Sequence, residues 1–355
     1  MTADRRLNAA VWLIALVAIV AALDLASTVF APVVFALFIL AVVWPLQRRL
    51  QSHLPRLLAL AVVILVTVGV LAAFVMLAAW SFARVGRWLI GDAKQFQLLY
   101  DQAAAWLEGH GVAVAGLWAR HFNVGWLVRA VQEISRHVNT TMSFSLIVFV
   151  YVLLGLLEVD DAAARIRAME NREAARILLD GSVAAAVKLR RYLLVRTMMS
   201  VMTGALVGAF LLLAGLPLAT EWGIIAFALN YIPFIGSFIA TVFPTLFALS
   251  QFSSWQAVLM VFLCLNAIQF VIGSYVEPRV SGNALAVSPF AVLFSVFLWT
   301  FLWGLAGAFV GVPITIALLS FAAQHPSSRW LAGLFGMPPG RSRDAAGAGM
   351  GAPVA

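Results

Sequence analysis

The sequence predicts an all-α integral membrane protein with about eight hydrophobic segments, and three observations carry that prediction. Of the 355 residues, 63% are hydrophobic and only 11% are charged, whereas a soluble domain carries about 25% charged residues. The mean hydropathy of +1.00 is too high for one soluble core to absorb by burial. The apolar runs are long enough to suit a hydrocarbon core of about 30 Å, which takes about 20 helical residues to cross. The net charge of +8 fits cytoplasmic loops that collect Lys and Arg, so it is no sign of a nucleic-acid partner. A single cysteine, Cys264, leaves no disulfide framework and no cysteine-rich metal site.

Residues 1–81 read as N-terminal transmembrane helices. The first run, 7–23, lacks a small-residue cleavage site followed by a polar region, so it reads as a retained helix rather than a signal peptide. Asp24 is either an intramembrane proton site or, better, a cap or external-turn residue. The second span covers about 25–44, with Pro32 in its first turns and Pro45 closing it. Arg48, Arg49 and Arg56 follow, which makes that loop cytoplasmic. The third span covers about 55–80.

Residues 82–141 change character. Phe96, Leu99, Tyr100, Ala103, Trp106 and Leu107 recur at helical spacing among charges of both signs, and Val131, Ile134 and Val138 line one side of a second polar-faced helix. Such a stretch suits amphipathic helices at the external interface or against a neighbouring subunit. His110, His121 and His137 are too scattered for a metal site. A short span over 142–157 follows, then a basic cytoplasmic segment, 158–194, with an amphipathic helix over 162–179. The fifth span runs over about 195–215. Its start is semi-polar, and Gly204 and Gly208 form a small-residue stripe suited to close helix packing.

Residues 195–323 read as the transport core, and the stretch 221–319 organises it. Only Glu221, Glu277 and Arg279 are charged there. Pro233, Gly236 and Pro244 interrupt its first apolar block, and Gly304, Gly307, Gly311 and Pro313 its last. Proline removes a backbone donor, and in lipid a freed carbonyl finds no water. Broken helices therefore survive at membrane depth only under protein cover or beside a wet cavity, and a pair of them points to a transport site. Residues 221–249 give roughly 44 Å of helix, too little for two crossings and too much for one. A re-entrant hairpin or one broken span fits. Residues 255–276 make a full span. Residues 285–323 fit a hairpin that turns at Gly304 to Gly307. Both termini are then expected in the cytoplasm, and the tail, 324–355, is expected to be disordered from about 338.

Asn230, Tyr231, Pro233, Gly236 and Ser237 at the first break, with Asn266 and Gln269 on the next span, are the candidate pathway residues. Their side chains can bond a polar solute without a fixed charge, although helix-to-helix bonding explains such groups too. Glu277, Pro278, Arg279, Gly282 and Asn283 form the candidate gate or coupling segment. An ionisable group near hydrocarbon is functional by default. Glu277 is read either as half of a structural ion pair with Arg279 or as a latch or proton-coupling carboxylate. Pro278 is expected to force an extended turn before it, and Glu221 to start a helix.

These residues carry a resemblance. Ile232-Pro233-Phe234-Ile235-Gly236, Glu277-Pro278-Arg279-Val280-Ser281-Gly282-Asn283 with Ser288-Pro289, Gly304-Leu305-Ala306-Gly307 and Val312-Pro313 are similar to the signature of the autoinducer-2 exporter family of bacterial inner-membrane transporters. The resemblance spans about residues 7–323. It implies no ATPase domain, no cofactor, homo-oligomers, and export of a small polar signal in some members, with sodium/proton antiport in others. Three readings stay open at this point: a permease for a small polar solute, an antiporter coupled to sodium or protons, and a non-transporting membrane scaffold. No Gly-rich P-loop and no His-Glu-x-x-His motif is present, so an enzyme is not expected.

Overall fold

The computed structural model describes residues 2–92, 98, 101, 105, 108–109, 125–252, 254–281 and 287–335. The middle of the expected external insert, Gly282, Asn283 and the tail from residue 338 lie outside the described residues. The helices in chain order are α1 (Thr2–Leu25), α2 (Ser27–Gln51), α3 (Arg56–Gly91), α4 (Gly125–Arg167), α5 (Arg172–Leu213), α6 (Ala219–Leu229), α7 (Ile235–Gln251), α8 (Trp255–Phe270), α9 (Glu277–Ser281), α10 (Pro289–Ala322) and α11 (Arg329–Leu334). A π-helical turn, Val271–Val276, joins α8 to α9.

Several boundaries differ from the sequence expectation. α3 continues to Gly91, because Val85 and Gly86 are buried and Trp88 packs at a tilt on Phe247, ring centroids 4.3 Å apart. α4 is one helix of 43 residues, about 64 Å long; a helix satisfies its own backbone in water and in lipid alike, so polar residues need not end it. The helix expected over 162–179 is split instead. α4 stops at Arg167, and Asn171 caps α5 by accepting from the Ala174 amide at 2.9 Å. Asp24 caps nothing: it is exposed in the last turn of α1, and Ala26 precedes α2 without a side-chain cap.

α6 and α7 fold back on each other as a hairpin. Trp222 near its base meets Phe247 at 5.5 Å, while at the tip a Cβ on Gly236 would strike the Leu229 carbonyl. The arms have 11 and 17 residues, about 16 and 26 Å, so neither crosses a core of about 30 Å. α10 is a second hairpin. Its 34 residues would suffice for a crossing, but Trp303 (φ −126°, ψ 17°) and Gly304 (φ 58°, ψ −140°) reverse the chain. Ser295 then hydrogen-bonds Thr315 across the two arms. Ser288 caps its start by accepting from the Ala291 amide, with Pro289 in the first turn.

The two hairpins come in from opposite ends of α5. Asn230 and Tyr231 at the first tip bond Ser200 and Thr197 in the middle of α5, and its base packs beside Leu211 and Leu216. The second hairpin begins at the other end, where Phe321 lies against Gly181. Its tip reaches the α1–α2 turn through a Trp303 Nε1 bond of 3.0 Å to the Leu23 carbonyl. The first hairpin's arm α6 fits α5 because both are glycine-notched. A Cβ on Gly204 would sit 2.7 Å from the Gly223 carbonyl, and one on Gly223 would sit 2.9 Å from Gly208 Cα.

Substituting Gly223→Ala or Gly204→Ala should therefore cost about 1–3 kcal/mol through overpacking. Gly69→Ala, which meets nothing within 4 Å, should leave the melting temperature in detergent unchanged or higher. Equal melting temperatures for all three would count against this seam.

Candidate functional site

The site grows from one face of α5. Tyr192, Arg196, Ser200 and Thr203 follow at helical spacing, so one side of the mainly apolar C-terminal half of α5 is polar. Arg196 has a side chain only 8% exposed, and a buried guanidinium demands a counter-charge. Glu277 supplies it. Arg196 Nη1 donates to Glu277 Oε1 at 3.1 Å and to Oε2 at 3.2 Å. The expected partner, Arg279, instead lies over the Tyr275 ring at 5.8 Å. Helical geometry explains the correction, because side chains two positions apart point to different faces.

The π-helical turn sets Glu277 in place. The Glu277 amide bonds back to the Ile272 carbonyl, five residues away. This wider turn accommodates the ring of Pro278, so Glu277 keeps helical dihedrals (φ −57°, ψ −48°) rather than the expected extended ones. Pro278 itself is exposed in α9. A π turn inside a helix often marks a functional position.

The first hairpin's tip brings its polar groups to the same face of α5. Asn230, buried, donates from Nδ2 to Ser200 Oγ at 3.2 Å. Tyr231 donates its hydroxyl to Thr197 Oγ1 at 3.0 Å, and its ring packs edge-on to Phe74 and Phe227. Three backbone bonds close the tip: the Ile232 amide donates to the Leu229 carbonyl, Ile235 to Pro233, and Gly236 to Ile232. Phe234 takes φ 62°, a strained value for a non-glycine residue, between the buried Pro233 and Gly236.

The remaining pathway residues stand apart from this network. Asn266 is exposed and donates to the Phe262 carbonyl of its own helix. Ser237 is half-buried, and its carbonyl accepts from Thr241. Gln269 is half-buried, with no protein partner at Nε2. Sequence reasoning misses Tyr192, Arg196, Thr197 and Ser200 as site residues. An arginine entering an apolar run is the available signal, but it merges with the basic stretch that precedes it.

Chemically, the network offers unspent hydrogen bonds without net charge. Among the described residues Arg196 Nε is buried without a hydrogen bond, and Tyr192 Oη, equally buried, lies beside the Arg196 guanidinium without a well-formed one, while Glu277 balances the guanidinium. A neutral solute bearing oxygen acceptors suits such groups. A concavity of about 440 Å³ between α3, α5 and α6 is lined by Leu77, Val201, Gly204, Gly208, Gly223 and Phe227. Its lining is mainly carbon and offers a polar solute little.

A family model described as "AI-2E family transporter" matches residues 13–326. The chain belongs to the AI-2E transporter family. It is 29% identical over 308 residues to "AI-2 transport protein TqsA" of Escherichia coli K12, covering 85% of this chain and 87% of that protein. It is 28% identical over 338 residues to YhhT of the same organism, covering 93% of this chain and 94% of that protein. The AI-2E match spans both hairpins and α5, so the polar network lies inside the family's shared region, and the chain is a multi-pass membrane transporter.

The ion pair of this AI-2E transporter should respond asymmetrically to mutation. Glu277→Gln strands the more deeply buried charge and should cost about 3 kcal/mol. Arg196→Gln strands a carboxylate that is 35% exposed and should cost clearly less. Thermal unfolding in detergent reads the order, and the reverse order would contradict the assignment.

Proposed function

We propose that this chain is a permease that carries a small, neutral, polar solute outward across the bacterial inner membrane, using the α5 network as its solute site. The observation that carries the proposal is that the first hairpin's tip bonds Ser200 and Thr197 on the same stretch of α5 that holds the Arg196–Glu277 pair and the buried Tyr192 hydroxyl beside it. Re-entrant tips beside polar groups near the midplane are what alternating access needs. The first solute to test is AI-2, because the relative TqsA is described as an AI-2 transport protein.

The proposed orientation puts both termini in the cytoplasm. Arg165, Arg167, Arg172, Arg176, Arg190 and Arg191 cluster around the α4–α5 junction, and positive residues favour the inside. The first hairpin then re-enters from outside and the second from the cytoplasm. Sodium/proton antiport finds less support. The obvious carboxylate, Glu277, already accepts two bonds from Arg196, which leaves it poorly placed to trade a cation.

Purified protein in liposomes should move AI-2 faster than protein-free liposomes. Asn230→Ala should slow that flux about tenfold, the equivalent of one hydrogen bond of about 1.4 kcal/mol. Phe238→Ala, on an exposed face of α7, should not. Flux no faster than in protein-free liposomes would rule out AI-2 as the solute, and equal flux for Asn230→Ala would remove the site.

A further inference from the structure

Ile232 occupies an unusual position. It lies in the non-helical tip of the first hairpin, directly after Asn230 and Tyr231, yet it is only 2% exposed. It shares one packed cluster with Val296, Ala308, Val312 and Ile316, which come from both arms of the second hairpin, and with Leu189 of α5. This cluster is where the two hairpins meet.

Position along α5 gives the contact a direction. Leu189 lies about one turn before Tyr192, and Arg196, Thr197 and Ser200 follow. Ile232 therefore covers the polar network from the N-terminal side of α5, whereas the Phe74–Phe227–Tyr231 ring cluster flanks the tip elsewhere. A polar solute leaving or reaching the network past Leu189 must part Ile232 from the second hairpin. While they touch, that route is carbon-lined, and stripping a polar solute of water there is costly.

We infer that Ile232 is the apolar plug of the passage, a barrier residue that closes the solute site on one side by packing the first hairpin's tip against both arms of the second. Phe234 helps to aim it. The φ of 62° at Phe234, after Pro233, holds the tip as a rigid turn rather than a frayed helix end, so the plug moves with its hairpin as one piece. The inference rests on the transport reading given above, and its test is independent of AI-2.

The probe is erythritol, followed by the swelling of proteoliposomes in stopped-flow light scattering. Ile232→Ala removes three carbons from the plug and should speed swelling at least about tenfold over the parent. Ile232→Val should give a smaller increase, and Phe238→Ala none. If the alanine variant does not fold, Ile232→Cys in a Cys264→Ser background serves instead. It should leak, and treatment with propyl methanethiosulfonate should refill the gap and restore tightness, which a general loss of folding would not allow. Swelling at the parent's rate in these variants, with the protein reconstituted in equal amount, overturns the inference. A leak in Ile232→Ala without any AI-2 flux in the parent upholds the plug and removes only the solute assignment.

Discussion

A helix too short to cross a bilayer must hide its loose ends, and this constraint shapes the C-terminal half of the chain. Lipid offers no partner for a freed amide or carbonyl. The first hairpin meets the demand by closing its tip with three backbone bonds within residues 229–236 and two side-chain bonds to α5. The second meets it by turning on Gly304 and tying Trp303 to the end of α1. Each tip is thereby anchored to a different helix, and the two hairpins meet only through apolar packing around Ile232 among the described residues.

Electrostatics impose the second restriction. A guanidinium in a mostly buried position is tolerable only with a near partner, so Arg196 draws Glu277 across 81 positions of sequence. The π-helical turn is the structural consequence: it widens the chain just before Pro278 and leaves Glu277 facing α5. Breaking regular helix geometry there is repaid by a charge pair that also joins α8 and α9 to the polar face.

Much of this was legible in the sequence. Composition and run length give the helical membrane class, and proline with glycine spacing gives both interrupted blocks; the turn expected near Gly304 falls at Trp303 and Gly304. Asn230 and Tyr231 were legible because polar groups beside a break in an apolar run have little to bond except a facing helix or a passing solute. The true partner of Glu277 was not. Arg279 is its sequence neighbour, whereas Arg196 became its spatial one only through the packing of α9 against α5. Helix ends were equally opaque, since α3, α4 and α5 run past the membrane core, and hydropathy marks the edge of the lipid rather than the end of a helix. Ile232 was invisible as anything but one apolar residue among many.

The length of α5 has a mechanical corollary. Its 42 residues make a rod of about 63 Å that bonds the first hairpin near its middle and packs against the second toward its N-terminal end. From Arg196 to Arg172 the lever arm is about 36 Å. A tilt of about 5° pivoting at Arg196 would swing the distal end through about 3 Å, as far as the helix rises in about two residues. A small tilt at the polar face would thus be enlarged at the far end of α5, where the base of the second hairpin is packed on it.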